Sequence, residues 1–163
     1  MGSVHISLSE IQEIFSGGAN DTGLWHIIYN FRLPKAITAL LTGSALAVAG
    51  LYMQTLFQNP LAGPYVLGIS SGASLGVALL LMGSAFLPAA LVASAWAQVG
   101  AAIIGSLLVL LLVLAVSSKV NDTVSLLIVG MMFGSIAGSV VNVLQSASNA
   151  DSLKLFVMWS MGS

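Results

Sequence analysis

Apolar residues in this chain come in long unbroken blocks, without the alternation or one-sidedness of strands and helices that face water. Residues 36–118 contain no Asp, Glu, Lys, Arg or His, and neither do residues 123–150. A soluble domain needs charge on its surface, whereas at mid-bilayer a single charge costs at least about 2.5–3.5 kcal/mol on insertion scales. The pattern predicts an integral membrane protein. A spanning helix takes about 20 largely apolar residues, and four stretches qualify: 36–57, 65–87, 89–116 and 124–145. Pro34, the Asn59-Pro60 and Gly63-Pro64 pairs and Pro88 fall at or beside their ends, where proline is tolerated. The loop 117–123 carries the mid-chain charges Lys119 and Asp122. Because the stretches do not alternate, a transmembrane β-barrel is excluded. The fold class expected is all-α: a polytopic helical bundle of about four spanning helices with short interfacial helices.

The flanks read differently. Ser7 followed by Glu10 fits a capping box, with Ile11, Ile14 and Phe15 on one helical face and Gly17-Gly18 as a stop. Trp25 and Tyr29 sit four apart just before the first span, where amphipathic aromatics favour the headgroup layer. Residues 1–35 are therefore expected to form an interfacial segment of short helices, the alternative being a loosely ordered polar tail. Residues 146–163 read as a polar loop and a short segment, Leu153–Met161, lying at the interface with Trp159 as anchor.

Small residues recur at close-packing spacing. Gly68, Gly72 and Gly76 form overlapping GxxxG units, as do Gly130, Gly134 and Gly138, and Ala39, Gly43 and Ala47 continue the pattern in the first span. Helices without side-chain bulk approach closely and gain dispersion contacts that lipid cannot match. Simple packing and a helix that slides during transport both fit this spacing. So many small faces exceed what four helices can cover, which points to further helices or a partner.

Composition removes several classes. At 58% hydrophobic and 6% charged residues, with a net charge of −1, the chain is unsuited to nucleic acid. With no cysteine, disulfides and thiolate metal sites are excluded. Residues 1–30 hold Glu10, Glu13 and Asp21 and lack the basic start and apolar core of a signal peptide. Within the spans the polar residues are Gln54, Gln98, Asn142 and scattered Ser and Thr, none ionisable. Ion-coupled carriers place ionisable groups in the membrane, and enzymes need acid–base or nucleophile pairs; neither is present. His5 and His26 have no ligand-spaced companion. No metal site, cofactor or catalytic residue is expected.

One stretch is more specific. Arg32-Leu33-Pro34-Lys35 is followed by a small-residue run through Gly43 and Gly50 to Gln54, then by Asn59-Pro60-Leu61-Ala62-Gly63-Pro64 and Leu67-Gly68-Ile69-Ser70-Ser71-Gly72-Ala73-Ser74-Leu75-Gly76. In order and spacing this resembles the FecCD family, the permease subunits of ABC importers for iron–siderophore, haem and cobalamin. Ser125–Gly130 and the ending Trp159-Ser160-Met161-Gly162-Ser163 resemble later elements of that family. The resemblance implies an inner-membrane permease, here its N-terminal half, because family permeases are roughly twice this long. It implies three partners: a second permease copy or homologous half, cytoplasmic ATPase subunits that hydrolyse ATP, and an extracytoplasmic solute-binding protein.

The resemblance also assigns residues. Arg32 and Lys35 match the basic pair that docks the binding protein; the lysine keeps the charge and loses the bidentate fork. The alternative is contact with lipid phosphates. Asn59, Leu61, Asp122 and Thr123 match the turn and loop that help close the cytoplasmic gate, the alternative being an ordinary tight turn. Orientation sets two arguments against each other. Arg32, Lys35 and Lys154 on the side of the termini, against Lys119 on the other, would put the termini in the cytoplasm. The resemblance puts them outside, and that reading is followed. An ion-coupled carrier or channel fragment, or a small membrane scaffold, are the competing classes.

Overall fold

The computed structural model describes residues 6–16, 23–84, 87–120 and 122–162. All regular elements among them are helical: α1 (Leu8–Phe15), α2 (Gly23–Ile27), α3 (Leu33–Phe57), α4 (Ile69–Met82), α5 (Ala89–Val92), α6 (Ala95–Ser117), α7 (Thr123–Ala147) and α8 (Ala150–Ser160). A π-helical turn at Ile28–Arg32 joins α2 to α3, and a 3₁₀ turn at Pro64–Leu67 leads into α4. Backbone proximity divides the chain into two compact units, one up to Val48 and one from Ala49 onward.

In the first unit, α1 starts as its sequence dictates. The Ser7 hydroxyl accepts the Glu10 N–H, and the Glu10 carboxylate accepts the Ser7 N–H at 2.7 Å, completing the capping box. These bonds from Ser7 hold the Glu10 carboxyl below its ordinary value. Ile14 is buried, while the Gly17-Gly18 stop lies outside the described residues. Helix then runs continuously from Gly23 to Phe57, so Pro34 does not end an interfacial helix as its position suggests. A proline ring clashes with the carbonyl four residues back, here that of Asn30. The chain accommodates this by widening one turn: the Leu33 N–H donates to the Ile28 carbonyl, five residues back.

The second unit is a bundle. Its entry is set by the end of α3, where Gln58 takes a left-handed φ of 47°. The Gln58 N–H donates to Thr55 O and the Asn59 N–H to Gln54 O, a Schellman motif with glutamine where glycine is usual. Beyond it, α4 is 14 residues long, about 21 Å of rise, short of a full hydrocarbon core. Gly68 in the left-handed region bounds it in front and Gly83 behind. Three helices among the described residues are long and apolar enough to cross: Gly23–Phe57, Ala95–Ser117 and Thr123–Ala147. The third expected stretch also divides. Ser94 is extended (φ −78°, ψ 122°), separating the single turn α5 from α6, and the Gln98 amide donates back to the Val92 carbonyl at 3.5 Å.

Two clusters form the core of this unit. One gathers Val77, Ala78 and Leu81 of α4 with Val92, Val141 and Phe156. The other gathers Met53, Ala62, Leu67, Val109 and Val113. Lipid is as apolar as leucine, so these contacts stabilise through packing density and not through escape from water. Through Phe156, with Trp159 packed alongside, α8 joins the first cluster. The segment expected to lie at the interface therefore closes one end of the bundle. Its start is fixed by Asn149, whose side-chain oxygen accepts the Ser152 N–H at 2.9 Å.

Candidate functional site

The most constrained place in the second unit is where α4 passes between α6 and α7. Gly68 has φ +73°, and a Cβ there would stand 2.6 Å from the Gly134 Cα and 2.7 Å from the Gly130 carbonyl oxygen. The reverse holds too: a Cβ on Gly134 would lie 2.8 Å from the Gly68 Cα, and one on Gly130 2.8 Å from the Leu67 Cα. On the other side, a Cβ on Gly72 would lie 2.6 Å from the Gly105 carbonyl oxygen, and one on Gly76 would run into the Ala101 carbonyl. Backbone meets backbone on both flanks of α4, which only glycine permits.

The sequence placed Gly68 inside a helical GxxxG unit; it stands instead outside the helix, at the turn before α4, and still opposes Gly134. A Cβ added at Gly43 or Gly138 would meet nothing within 4 Å. Gly105 went unremarked in the sequence. It abuts the Gly72 carbonyl, and its signal was the small pair Ala101 and Gly105, four apart. Beside the crossing, Tyr65, Gly68, Ser71, Met131 and Ser135 line an open groove of about 460 Å³. The Ser135 hydroxyl donates to the Met131 carbonyl at 2.8 Å, so its proton is spent within its own helix.

At one end of the unit lie the turn and the loop predicted as a gate. The Asn59 side-chain oxygen accepts the Leu61 N–H at 2.9 Å, and its backbone carbonyl accepts the Ala62 N–H at 3.1 Å. The turn is thus closed by its own asparagine. Ala62 is buried in the second cluster while Leu61, at 89% exposure, points out. Asp122 caps α7 by accepting the Ser125 N–H at 3.0 Å and its hydroxyl at 3.1 Å, and Thr123 is the first helical residue. These bonds from Ser125 hold the Asp122 carboxyl below its ordinary value. Leu126 packs against the cluster that holds Ala62, so the turn and the start of α7 share one end of the bundle.

In the first unit, Arg32 ends the π turn and is half-buried, whereas Lys35 is exposed. Arg32 stands with Ile11, Ile28, Leu33 and Ala36 around a small apolar cleft. Trp25 and Tyr29 stack with ring centroids 4.9 Å apart, and Trp25 meets His26 edge-on at 5.2 Å. His26 Nδ1 and the Asn30 amide nitrogen are 3.2 Å apart. Among the described residues, no group of three His, Asp or Glu could hold a metal ion. None of their buried side-chain polar atoms lacks a hydrogen-bond partner. The arrangement offers precise helix packing, a polar turn, a capped loop and a basic pair.

Comparison with known proteins covers the whole chain. The FecCD transport family matches residues 1–163. The hemin transport system permease protein HmuU of Yersinia pestis is 38% identical over 164 residues, spanning 100% of this chain and 47% of that protein. The vitamin B12 import system permease protein BtuC of Klebsiella pneumoniae is 38% identical over 136 residues, spanning 83% of this chain and 39% of its own length. A solved metal-chelate type ABC transporter in an inward-facing conformation superposes with a TM-score of 0.73 at 26% identity, over 100% of this chain and 46% of the other. The chain spans about half the length of these relatives or less.

The crossing generates a graded prediction for the full-length protein in detergent. Gly68→Ala should destabilise by about 1–2 kcal/mol from the left-handed backbone alone, and by more once the overlap with Gly134 is added. Gly72→Val and Gly105→Ala should also lower the thermal unfolding midpoint. Gly43→Ala and Gly138→Ala should leave it unchanged or raise it slightly, because alanine favours helix by about 0.8–1 kcal/mol. A loss at either of the last two would place another helix against that face.

Proposed function

The chain belongs to the FecCD transport family, and on that footing we propose that it forms half of the membrane path of a binding-protein-dependent ABC importer. Its cargo is an iron chelate, haem or a corrinoid. One observation carries this reading: residues 36–118 and 123–150 supply helices and no Asp, Glu, Lys, Arg or His. A carrier that couples to protons or ions needs such groups in the membrane, so the energy must enter from a partner. ATPase subunits on the cytoplasmic side fill that role, and a second copy or homologous half completes the path. The names of the haem and vitamin B12 relatives support the cargo class. Reconstituted with its binding protein and ATPase, the full-length transporter should accumulate one of these cargoes only with ATP. Accumulation driven by an ion gradient without the ATPase would overturn the proposal.

The termini face outward in this reading, and Arg32 with Lys35 docks carboxylates of the binding protein. The exposure of Lys35 and the place of Arg32 at the rim of a cleft support it. Each exposed pair contributes only about 0.2–1 kcal/mol, since water and salt screen it. Reversing both residues to glutamate adds repulsion, so the loss should exceed that of the double alanine variant. It should appear mainly in the association rate and shrink as salt rises. Unchanged affinity at low salt, with membrane insertion intact, would reduce the two residues to lipid anchors.

Asn59, Leu61, Asp122 and Thr123 form the cytoplasmic gate. The self-closed turn and the exposed Leu61 support this, because a rigid turn can hold a narrow constriction. Cysteines at Leu61 and Thr123 should crosslink between paired subunits in the closed state, where Cβ atoms must come within about 4.5 Å. Absence of the crosslink in every nucleotide state would remove the assignment.

A further inference from the structure

Pro34 sits inside a continuous helix, and the π turn at Ile28–Arg32 directly precedes it. A π turn holds one residue more than an α turn. Each residue of an α-helix advances about 100° around the axis, and positions four apart drift by about 40°. From Ile28 to Ala36 that drift would reach about 80°, and the extra residue turns Ile28 back by about 100°, close to the line of Ala36. Ile28, Arg32 and Ala36 share the cleft that Ile11 of α1 also lines. The same extra residue turns residues 23–27, including Trp25, by about 100° relative to α3; Tyr29, stacked on Trp25, stands within the turn itself. His26 is exposed on that segment while Ile28 is buried, so the phase leaves a readable contrast.

We infer that Pro34 is a positioning residue: by forcing the π turn it fixes the rotational phase of residues 23–28 against α3. Trp25 lies upstream of the turn and Tyr29 within it, while Arg32 ends the turn and Lys35 follows. The headgroup layer that holds Trp25 and Tyr29 then sets the angle at which the two cations face outward. The proline acts through the geometry that it imposes.

The test separates phase from mere helix stability. The 163 residues of this chain hold no cysteine, so single cysteines at His26 and Ile28 can report on a full-length transporter once any cysteines elsewhere in it have been replaced. With a membrane-impermeant thiol reagent, His26→Cys should label at least about tenfold faster than Ile28→Cys, as exposure against burial dictates. Adding Pro34→Ala should let the turn relax to α and collapse that contrast. Deleting Phe31, an exposed residue of the turn, in the Pro34→Ala background should restore it, because the helix is then α throughout with its upstream phase recovered. A contrast unchanged by Pro34→Ala, or not restored by the deletion, would overturn the inference. If Pro34→Ala alone does not accumulate, the deletion variant decides, and its failure to show the native contrast overturns it equally. Binding-protein affinity should follow the same loss and recovery, a readout that also rests on the docking role of Arg32 and Lys35. Labelling that follows the prediction while affinity does not would support the phase role and overturn that docking role.

Discussion

The second unit of this protein depends on one close approach: the backbone of α4 against that of α6, and the backbone of the turn leading into α4 against that of α7. In lipid, apolar side chains gain nothing by leaving the solvent, so helices must adhere through contact density and local polar matches. Glycine supplies that density, because two helices without Cβ atoms at their crossing bring whole peptide groups into van der Waals range. Gly72 and Gly105 do this on one flank, and Gly68, Gly130 and Gly134 on the other. The first side-chain cluster is built on Val77, Ala78 and Leu81 of α4, and the second lies at the turns that lead into α4, with Ile69 packed against it. The 14-residue length of α4 is tolerable for the same reason, since its ends are covered by protein turns and need not reach the headgroups alone.

The chemistry of the chain is correspondingly spare. Hydroxyls along the long helices return their protons to carbonyls of their own helix, as Thr38 does to Pro34 and Ser44 to Leu40, which keeps isolated serines and threonines affordable in hydrocarbon. The strongest polar interactions sit at helix starts instead, where Ser7, Asp122 and Asn149 satisfy N–H groups that have no partner within the helix. The two carboxylates held below their ordinary values, Glu10 and Asp122, belong to such caps. Their depressed pKa values make these caps strongest at neutral pH. That contribution begins to fall as pH drops through the ordinary carboxylate value and is gone once pH lies below the lowered folded-state value. At Glu10 and Asp122, ionisation serves architecture.

The helix entering the first span shows how a rule can be right about cost and misleading about outcome. Proline does exclude a regular α-turn, yet the chain keeps its helix by donating the Leu33 N–H five residues back. A local widening costs less than a break when the helix continues on both sides. Gln58 is a second case: a residue with a Cβ occupies the left-handed position because the Schellman bonds of Gln58 and Asn59 close around it.

By itself the sequence determined the solvent, the helical class and the family. An uncharged run is incompatible with water whatever the fold, the capping box at Ser7 and Glu10 is local, and the motif from Arg32 to Gly76 carries identity in its spacing. The glycine spacing also announced that helices would touch closely. Which glycines touch was decided by tertiary structure alone. Gly43 and Gly68 look alike in sequence, but one faces open space and the other lies against Gly134, because contact depends on where a second helix passes. Likewise, hydropathy could not see that Tyr65–Leu87 holds a helix of only 14 residues, that Ser94 divides the third stretch, or that Phe156 turns α8 into the bundle. Hydropathy reports the preference of a residue for an apolar medium, and a neighbouring helix satisfies that preference as well as lipid does.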